Sequence, residues 1–522
     1  MDRSARIAAL VAEVGQVLQQ GLEQVWDAGL ARDLDQIEQQ VQRVFRRAGG
    51  RLLAGMAQAQ VATMEQHRPQ CAQCGTELRR EGVRSRYLLG LVGETQVARP
   101  YYHCGRCGTG EAPLDEVWGL GSGVLTPGLA RAVARDGVEA PFGQAASLVA
   151  EHLGVEVSED LVRQTTERLG RLADADQAVR PARVVAPKEA VPDTLVVELD
   201  GGQIHLRQAW HELKLGRVAP LGPKVVEDPK DGDRHYALGP SVYAAGLETC
   251  DDFWPRLARE AVRAGLGRWV KRVVLLADGA EWIWKQARTQ LALPGVEVIE
   301  ILDFYHASEH LAKAATAVYG GKSEVGQKWL DNQCHALRHE GVTPVLAALD
   351  ALQPHDADGE DEVRKVRAYV VEHRARMEYP AFRARLFPLG SGAIESTVKN
   401  VMQQRQVQAG MRWTREGAHD VINLRAVHRS VGRWDAFWAS QPLRRLRALP
   451  AAPALAESAL DQEAPPPLAV QEPVPTLTAP PQDDPPAPPP AARATRIQTA
   501  GKPWAKGKDC WHRSPIGKRR SA

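Results

Sequence analysis

The first part of the chain carries hydrophobic side chains at the spacing of an amphipathic helix. Ile7, Leu10, Val14 and Leu18 follow one another at intervals of three or four positions, with polar residues between them. This interval matches the turn of an α-helix and predicts one apolar face. Residues 1–66 are therefore predicted to form a helical N-terminal segment.

Strand-like patterns appear in the middle of the chain. Three short apolar runs, at 195–197, 273–277 and 296–302, alternate with stretches of helical spacing. Such alternation is typical of an α/β sheet. The predicted parts are a first half of the sheet domain, a helical insertion without strand signals, and a second half that continues as helix: 186–306, 307–388 and 389–440.

Proline and charge set the end of the chain apart. Residues 450–490 hold 14 of the 35 prolines, a density that excludes regular helix or sheet. Residues 493–522 carry nine Lys or Arg against one Asp, which makes +8, so the rest of this +2 chain sums to −6. Residues 441–522 are predicted to be a proline-rich linker with a basic, disordered tail. Any nucleic-acid contact in the acidic body must use local basic patches.

The composition is that of a multidomain globular chain, with 522 residues, 44% hydrophobic and 25% charged. No apolar run reaches the roughly 18 residues of a membrane-spanning helix, and no signal-peptide pattern opens the sequence. We therefore expect a cytoplasmic, nucleoid-associated protein without a membrane partner. In that compartment metal thiolates are favoured over disulfides.

Two Cys-x-x-Cys pairs enclose a β-like run. Cys71 and Cys74 form the first pair, and Cys104 and Cys107 form the second. Each pair can present two sulfurs to one tetrahedral ion, so together they predict a structural Zn²⁺ site. Unliganded turns or a redox dithiol are the alternatives, although redox motifs rarely occur doubled around a hairpin. Residues 67–112 are predicted to be a zinc-ribbon-like hairpin domain.

A helix-turn-helix pattern follows within residues 113–185. Two short amphipathic segments, 142–153 and 158–169, are separated by a four-residue turn, and Ser158 is a good N-cap for the second. In such a unit the second helix contacts a DNA groove. An ordinary helical hairpin has the same pattern, so both interpretations stay open. The DNA-facing candidates on the second helix are Arg163, Gln164 and Arg168.

Three carboxylates occupy positions typical of metal ligands. Asp200 and Asp278 each end an apolar run and are followed by glycine, and Glu395 opens a predicted helix. An Asp at the end of a buried strand is well placed to bind a metal in a crevice of an α/β sheet. Three such acids can hold Mg²⁺ or Mn²⁺ for phosphoryl transfer. Taken singly, an Asp-Gly pair is also a common turn, and Glu395 also fits a solvated helix face.

Several short motifs occur together in one order. They are Asp200-Gly, Asp278-Gly-Ala-Glu-Trp, Asp303-Phe-Tyr-His306, Gly390-Ser-Gly-Ala-Ile-Glu395-Ser, Arg405, Gly410-Met-Arg-Trp413, Leu424-Arg425 and Gly432-Arg-Trp-Asp-Ala-Phe-Trp438. Over residues 70–440 the chain resembles the DDE transposases of bacterial insertion sequences, most closely the Kra family and distantly the Mutator-type elements.

The resemblance implies a multidomain α/β protein with an RNase H-like catalytic core and a helical insertion between the second Asp and the Glu. By motif match it makes Asp200, Asp278 and Glu395 the catalytic, metal-binding triad and gives Asp303 and His306 a supporting role. It also implies cleavage of DNA at element ends and joining of 3′-hydroxyl ends to a target. The expected partners are double-stranded DNA, as terminal inverted repeats and target, and further copies of the chain in a homodimer or higher synaptic oligomer.

Basic residues near Glu395 are candidates for phosphate contacts. A solvated helix face is an equally good interpretation for most of them. Two other functions remain alternatives to transposition: a DNA-binding regulator that has lost catalysis, and an RNase H-like nuclease that does not transpose. The phosphate-contact candidates are Lys399, Arg405 and Arg412.

Overall fold

The computed structural model describes residues 3–29, 33–64, 69–71, 73–120, 123–179, 193–228 and 232–446. All of them belong to the first of two compact units, Met1–Ala459, and the second unit is Leu460–Ala522. The predicted proline-rich linker and basic tail lie outside the described residues from position 447 onward. No described helix is long and apolar enough to cross a membrane.

The N-terminal apolar pattern produces two long helices, α1 (Arg3–Asp27) and α2 (Leu34–Met64). Arg51 of α2 pairs with Glu13 of α1 at 2.7 Å, and Arg47 donates to Gln24 at 2.7 Å. Because the later α2 residue meets the earlier α1 residue, the two helices run antiparallel. They form a helical hairpin.

A three-stranded antiparallel sheet follows, in the order β1-β2-β3. Its strands are β1 (Arg79–Gly90), β2 (Gly93–His103) and β3 (Gly110–Glu111). Strands β1 and β2 are joined by the two-residue turn Leu91-Val92, and the two cysteine pairs flank the hairpin that these strands form. The β-like run between the pairs is thus one hairpin.

Four helices come next, and three of them share a small apolar core. Thr126 caps the first of these three by accepting the Leu129 N–H, and Ser158 Oγ accepts the Leu161 N–H at 3.1 Å, as the sequence predicted for that N-cap. The core residues include Leu129, Val133, Val149 and Val162. The helices are α3 (Pro113–Val117), α4 (Pro127–Glu139), α5 (Phe142–Leu153) and α6 (Glu159–Val179).

The central sheet has six strands among the described residues, where the sequence predicted three. Along it the order is β6-β5-β4-β8-β9, with β7 also paired to β5. Strands β4, β8 and β9 are parallel, whereas β5 is antiparallel to β4. The strands are β4 (Thr194–His205), β5 (Trp210–Glu227), β6 (Arg234–Leu238), β7 (Val242–Gly246), β8 (Arg272–Ala277) and β9 (Glu297–Leu302).

Helices pack on this sheet and continue into a helical region after β9. One large core joins β4, β8 and β9 to α7, α8 and the helices up to α13. It includes the fully buried Phe253, Trp254 and Tyr379. The helices are α7 (Cys250–Arg263), α8 (Glu281–Leu291), α9 (Phe304–Tyr319), α10 (Glu324–His339), α11 (Val342–Asp350), α12 (Ala357–His373) and α13 (Tyr379–Ala384), with a 3₁₀ turn at Arg374–Arg376.

The last helical region returns to the sheet. It begins with α14 (Gly392–Thr397), passes without a break into a π-helical segment (Val398–Gln403), and ends its first part with α15 (Gln404–Gln406). Helix α16 (Arg415–Arg429) is buried on most of its surface, and α17 (Arg433–Leu446) follows it. A second core joins the π-helical segment and α16 to β4 and β5.

Candidate active site and metal centre

Three aspartates follow three neighbouring parallel strand segments. Leu199 of β4 is paired with Ala277 of β8, and Ala277 is paired with Leu302 of β9. The residue that follows each of these three is an aspartate: Asp200, Asp278 and Asp303. The register therefore sets the three carboxylates side by side along one edge of the sheet, as expected for the carboxyl ends of parallel strands.

Strand β4 does not end at Asp200, contrary to the sequence prediction. Its pairing with β8 ends at Leu199, but its pairing with β5 continues through Gly201 and Gly202 to His205. Gly202, the second of the two glycines, is required to be glycine by the space around it. A Cβ on Gly202 would lie 2.3 Å from the Met402 Sδ, so the missing side chain lets the π-helical segment approach the strand.

Glu395 lies in the first turn of α14, on the side away from the core. Ile394 and Thr397 are buried, whereas Glu395 is exposed. The π-helical segment begins three residues later. Such segments are rare and occur frequently at functional sites. The carboxylate thus projects from a helix whose other side is fixed by packing on β4 and β5.

The carboxylates act on one another electrostatically. Burial raises the pKa of Asp200 to about 6, the Gly201 N–H opposes that shift, and the negative charges of Asp278, Glu395 and Asp303 add to it. Their oxygens do not form a closed ligand set, since within the described ranges only four cysteines bring all their ligand atoms within 4.8 Å of one another. The acids form a single negative cluster whose hard oxygen donors fit a divalent cation such as Mg²⁺ or Mn²⁺.

Asp303 connects the sheet to the segment that carries Glu395. The residue is 2% exposed. Its Oδ1 accepts the His306 N–H at 2.9 Å and so caps α9, and its Oδ2 accepts the Ser391 N–H at 2.5 Å. Both oxygens already serve backbone donors, so Asp303 positions other elements. His306 contributes its N–H to this cap.

A cluster of aromatic and histidine rings lies next to Asp278. The His306 and His310 rings are 5.1 Å apart, and the Tyr369 ring stacks on His310 at 3.8 Å. Burial, together with the positive charges of Lys313, His306 and His373, lowers the pKa of His310 to about 4. His310 is therefore neutral at pH 7, and its ring packs against Tyr369.

Tyr369 is a residue of this site that the sequence analysis missed. Its hydroxyl is buried and has no hydrogen-bond partner among the described residues. A Cβ on Gly279 would lie 2.4 Å from that oxygen, so the hydroxyl touches the residue after Asp278. Burial and the charges of Asp278 and Asp303 raise the pKa of Tyr369. No local sequence signal marks it, because it comes from helix α12, far along the chain.

The four predicted zinc ligands come together. All four sulfurs lie within 4.8 Å of one another, and the Cys74 and Cys104 Sγ atoms are 3.6 Å apart. Tetrahedral zinc with bonds of about 2.3 Å requires sulfur separations of about 3.8 Å, which this cluster fits. Cys71 and Cys107 complete the set.

Two turns of the same geometry hold these sulfurs. The Gly75 N–H donates to the Cys71 carbonyl, and the Gly108 N–H donates to the Cys104 carbonyl, both at 2.9 Å. The two glycines have φ of 71° and 70°, a region that glycine adopts most readily. Hydrogen bonds from Thr76 and Cys107 lower the pKa of the Cys74 thiol to about 6, which favours the thiolate.

Arg405 does not face DNA, contrary to the sequence prediction. It is fully buried, with Nε donating to the Gly137 carbonyl at 2.9 Å and the guanidinium lying over the rings of Phe142 and Trp413. Burial lowers its pKa to about 10. Arg405 joins the Glu395 region to α4. The other two candidates, Lys399 and Arg412, are exposed.

The predicted recognition helix α6 is only partly a surface element. Arg163 pairs with Asp160 at 2.5 Å and with Glu167 at 2.8 Å, and Gln164 donates to Asp160 at 2.5 Å. Arg168 is half-buried. Further along the same helix, Arg171 pairs with Asp420 of α16 at 2.6 Å. Arg163 and Gln164 are therefore already engaged with acids of their own helix.

No protein-family model matches this chain, and no curated protein is similar enough to be matched. Among solved structures, a match to NurA with manganese has 11% identity, covers 54% of this chain and 65% of that chain, and has a TM-score of 0.09. A similarity of this size assigns neither a fold nor an activity.

Proposed function

We propose that this chain is a metal-dependent DDE transposase, which cleaves DNA at the ends of an insertion sequence and joins the 3′-hydroxyl ends to target DNA. The observation that carries the proposal is the sheet register, which sets Asp200 beside Asp278. Glu395 adds its charge to the same cluster from a separate helix. Two strands and one helix thus supply the three acids of the motif.

In this proposal the central sheet is an RNase H-like core, and helices α9 to α13 are the insertion that separates Asp278 from Glu395. The three parallel strands beside the antiparallel strand β5 support this assignment, because they bring the carboxyl ends of β4 and β8 to one edge. Glu395 then returns to that edge on α14, which Asp303 holds through Ser391.

The chemistry follows from the donor types. Asp200 and Asp278 would hold divalent ions from the sheet, and Glu395 would hold them from the helix. When bound, Mg²⁺ or Mn²⁺ activates the attacking oxygen and stabilises the leaving oxygen of an in-line displacement at phosphorus. The chain's own residues fix the acids in place, and burial around Asp200 limits access of bulk water.

Double-stranded DNA is the proposed partner. Lys399 follows Glu395 by four positions and is exposed like it, and Arg412 is exposed as well. Both are suited to the phosphates that flank a scissile bond. Helix α6 is the proposed end-recognition surface through exposed Gln164 and half-buried Arg163 and Arg168, once DNA phosphates compete with the acids that now pair with Arg163. The four cysteines are proposed to bind a structural Zn²⁺.

The test is an incubation of the purified full chain with DNA that carries the flanking terminal repeats and a target plasmid, with Mg²⁺. We expect nicks at the repeat ends and covalently joined products. The Glu416→Gln variant alters an exposed acid of α16 outside the cluster and serves as the matched control, with unchanged products. Cleavage without joining would favour a nuclease, and end binding without cleavage would favour a regulator. Either result contradicts the proposal.

A further inference from the structure

The N-terminal helical hairpin has a large exposed apolar surface. Nine of the nineteen large hydrophobic side chains exposed in the described part of the chain lie on α1 and α2, with exposed fractions from 37% to 77%. This group is named the hairpin face. Its members are Ile7, Val11, Leu22, Trp26, Leu34, Val41, Phe45, Leu52 and Met56.

The hairpin face is one continuous surface. On α1 its residues recur at positions 7, 11, 22 and 26, and on α2 at 34, 41, 45, 52 and 56, so each set forms a stripe along one side of its helix. Each stripe lies about a third of a turn from the α1–α2 contact, in the same rotational sense along its own helix. Because the helices are antiparallel, this places both stripes on the same side of the hairpin.

The size of the hairpin face is that of a protein interface. From their exposed fractions, the nine side chains present on the order of 1,000 Å², more than the roughly 800 Å² per partner of a standard interface. The largest apolar patch of an ordinary monomer is roughly 300 to 600 Å². A patch above that range marks an interaction site.

We propose that the hairpin face binds the hairpin face of a second copy of this chain, so that two hairpins form a four-helix bundle. The face is self-complementary under a two-fold axis, because each hairpin contributes two antiparallel helices with matching stripes. Spacings of four and eleven residues on α1, and of four and seven on α2, suit the side-by-side helix packing of such bundles. The proposal stands independently of the proposed transposase activity.

The charges argue against other occupants. Helices α1 and α2 carry six arginines and five carboxylates and no lysine, so the hairpin lacks the basic surface that nucleic acid requires. Membrane-surface helices carry a polar face rich in Lys and Arg. Helix α1 has two arginines against three acids, which does not fit that pattern.

The test is sedimentation velocity of the full chain from about 1 to 50 μM. We expect a dimer of the 57.1 kDa chain. The double variant Leu22→Glu/Phe45→Glu should weaken dimerisation by roughly 100-fold or more, because it buries two charges in the interface core. The matched control Val325→Glu/Val431→Glu changes two residues, 64% and 62% exposed, outside the hairpin and should remain dimeric. Unchanged far-UV circular dichroism establishes that each variant folds.

Four outcomes would overturn the proposal. The first is a monomeric wild-type chain across the whole concentration range. The second is an unchanged dimer in the Leu22→Glu/Phe45→Glu variant, which would place the interface elsewhere. The third is a chain that dimerises only after residues 447–522 are removed, which would assign the hairpin face to the chain's own C-terminal segment. Binding of the monomer to anionic vesicles, lost in the same variant, would likewise contradict it.

Discussion

Asp303 accepts a hydrogen bond from the backbone N–H of Ser391, with 2.5 Å between Oδ2 and N. Its other oxygen caps α9 through the His306 N–H. One buried carboxylate therefore joins the end of β9 to the start of the segment that carries Glu395. The geometry of the proposed triad depends on a residue outside it.

Replacing this carboxylate should destabilise the protein strongly. Asp303→Ala leaves two backbone donors without an acceptor at a position that is 2% exposed, and we expect a loss of about 2 to 5 kcal/mol in the free energy of unfolding. Asp303→Asn keeps a good N-cap and should lose about half as much. Urea unfolding measures both. The exposed cap variant Asp356→Ala should cost only about 1 kcal/mol, and an equal cost for Asp303→Ala would contradict the role given to Asp303.

The sheet and its strand-end acids are the part of the site that the sequence predicted best. An apolar run followed by Asp and Gly is a local signal, and parallel strands necessarily bring such residues to one edge. Strand β5 was missed because its pattern includes charged residues that become buried, and β6 and β7 are only five residues long. Arg217 is an example, since its charge pairs with Glu198 at 2.7 Å inside the sheet.

The burial of Arg405 could not be predicted from the sequence. Its partners are the Gly137 carbonyl and the rings of Phe142 and Trp413, and two of these three lie more than 200 positions away along the chain. A basic residue on a helix is ordinarily exposed, and only the tertiary arrangement supplies the acceptor and the rings that replace water. The same reason explains why Tyr369 was missed.

A second buried network should make stability depend on pH. Arg425, 1% exposed, donates to the carbonyls of Asn400 and Val401 at 2.6 Å, and it pairs with Glu139 at 3.0 Å. Burial tends to raise the pKa of Glu139, but His428, Arg425 and Arg429 hold it at about 2. Because the pKa is lowered on folding, the stabilisation is complete above about pH 4.5 and is lost as pH falls towards 2.

We therefore expect Glu139→Gln to lower the free energy of unfolding by about 1 to 3 kcal/mol at pH 7 and by much less near pH 2.5. Urea unfolding at the two pH values gives the comparison. Glu151→Gln, an exposed acid on α5, is the control and should change stability at neither pH. A difference between Glu139→Gln and wild type that does not depend on pH would show that the charge is not responsible.

Elemental analysis should find one zinc per chain. Cys71→Ser removes one of four sulfurs from a closed tetrahedral set, so zinc content should fall below about half an equivalent. Cys250→Ser alters a cysteine outside the cluster and should leave one equivalent. Wild-type protein with less than half an equivalent of zinc, unchanged in Cys71→Ser, would contradict the site.

Removing the Tyr369 hydroxyl should separate stability from activity. The group is buried without a described partner, so Tyr369→Phe should leave the free energy of unfolding unchanged or raise it by about 1 kcal/mol. Because the hydroxyl touches Gly279 beside Asp278, we expect DNA cleavage to fall by roughly 10-fold.

Tyr379→Phe is the contrasting variant for Tyr369→Phe. In the wild type the Tyr379 hydroxyl donates to the Leu302 carbonyl at 2.9 Å. Its removal should therefore lower the free energy of unfolding by about 1 kcal/mol. Urea unfolding and a cleavage assay on the same preparations measure the stability and the activity of both variants. Full activity in Tyr369→Phe would remove its hydroxyl from the site.

The rate of strand cleavage by amide variants of the triad, measured with element-end DNA at saturating protein, tests the central claim most directly. Asp200→Asn, Asp278→Asn and Glu395→Gln keep the shape of each side chain and remove the charge that would hold the metal. Each should reduce cleavage by about 1,000-fold or more while end binding stays within about threefold, and Ca²⁺ should support binding without cleavage in the wild type. Near-normal cleavage in any one of the three would contradict the account.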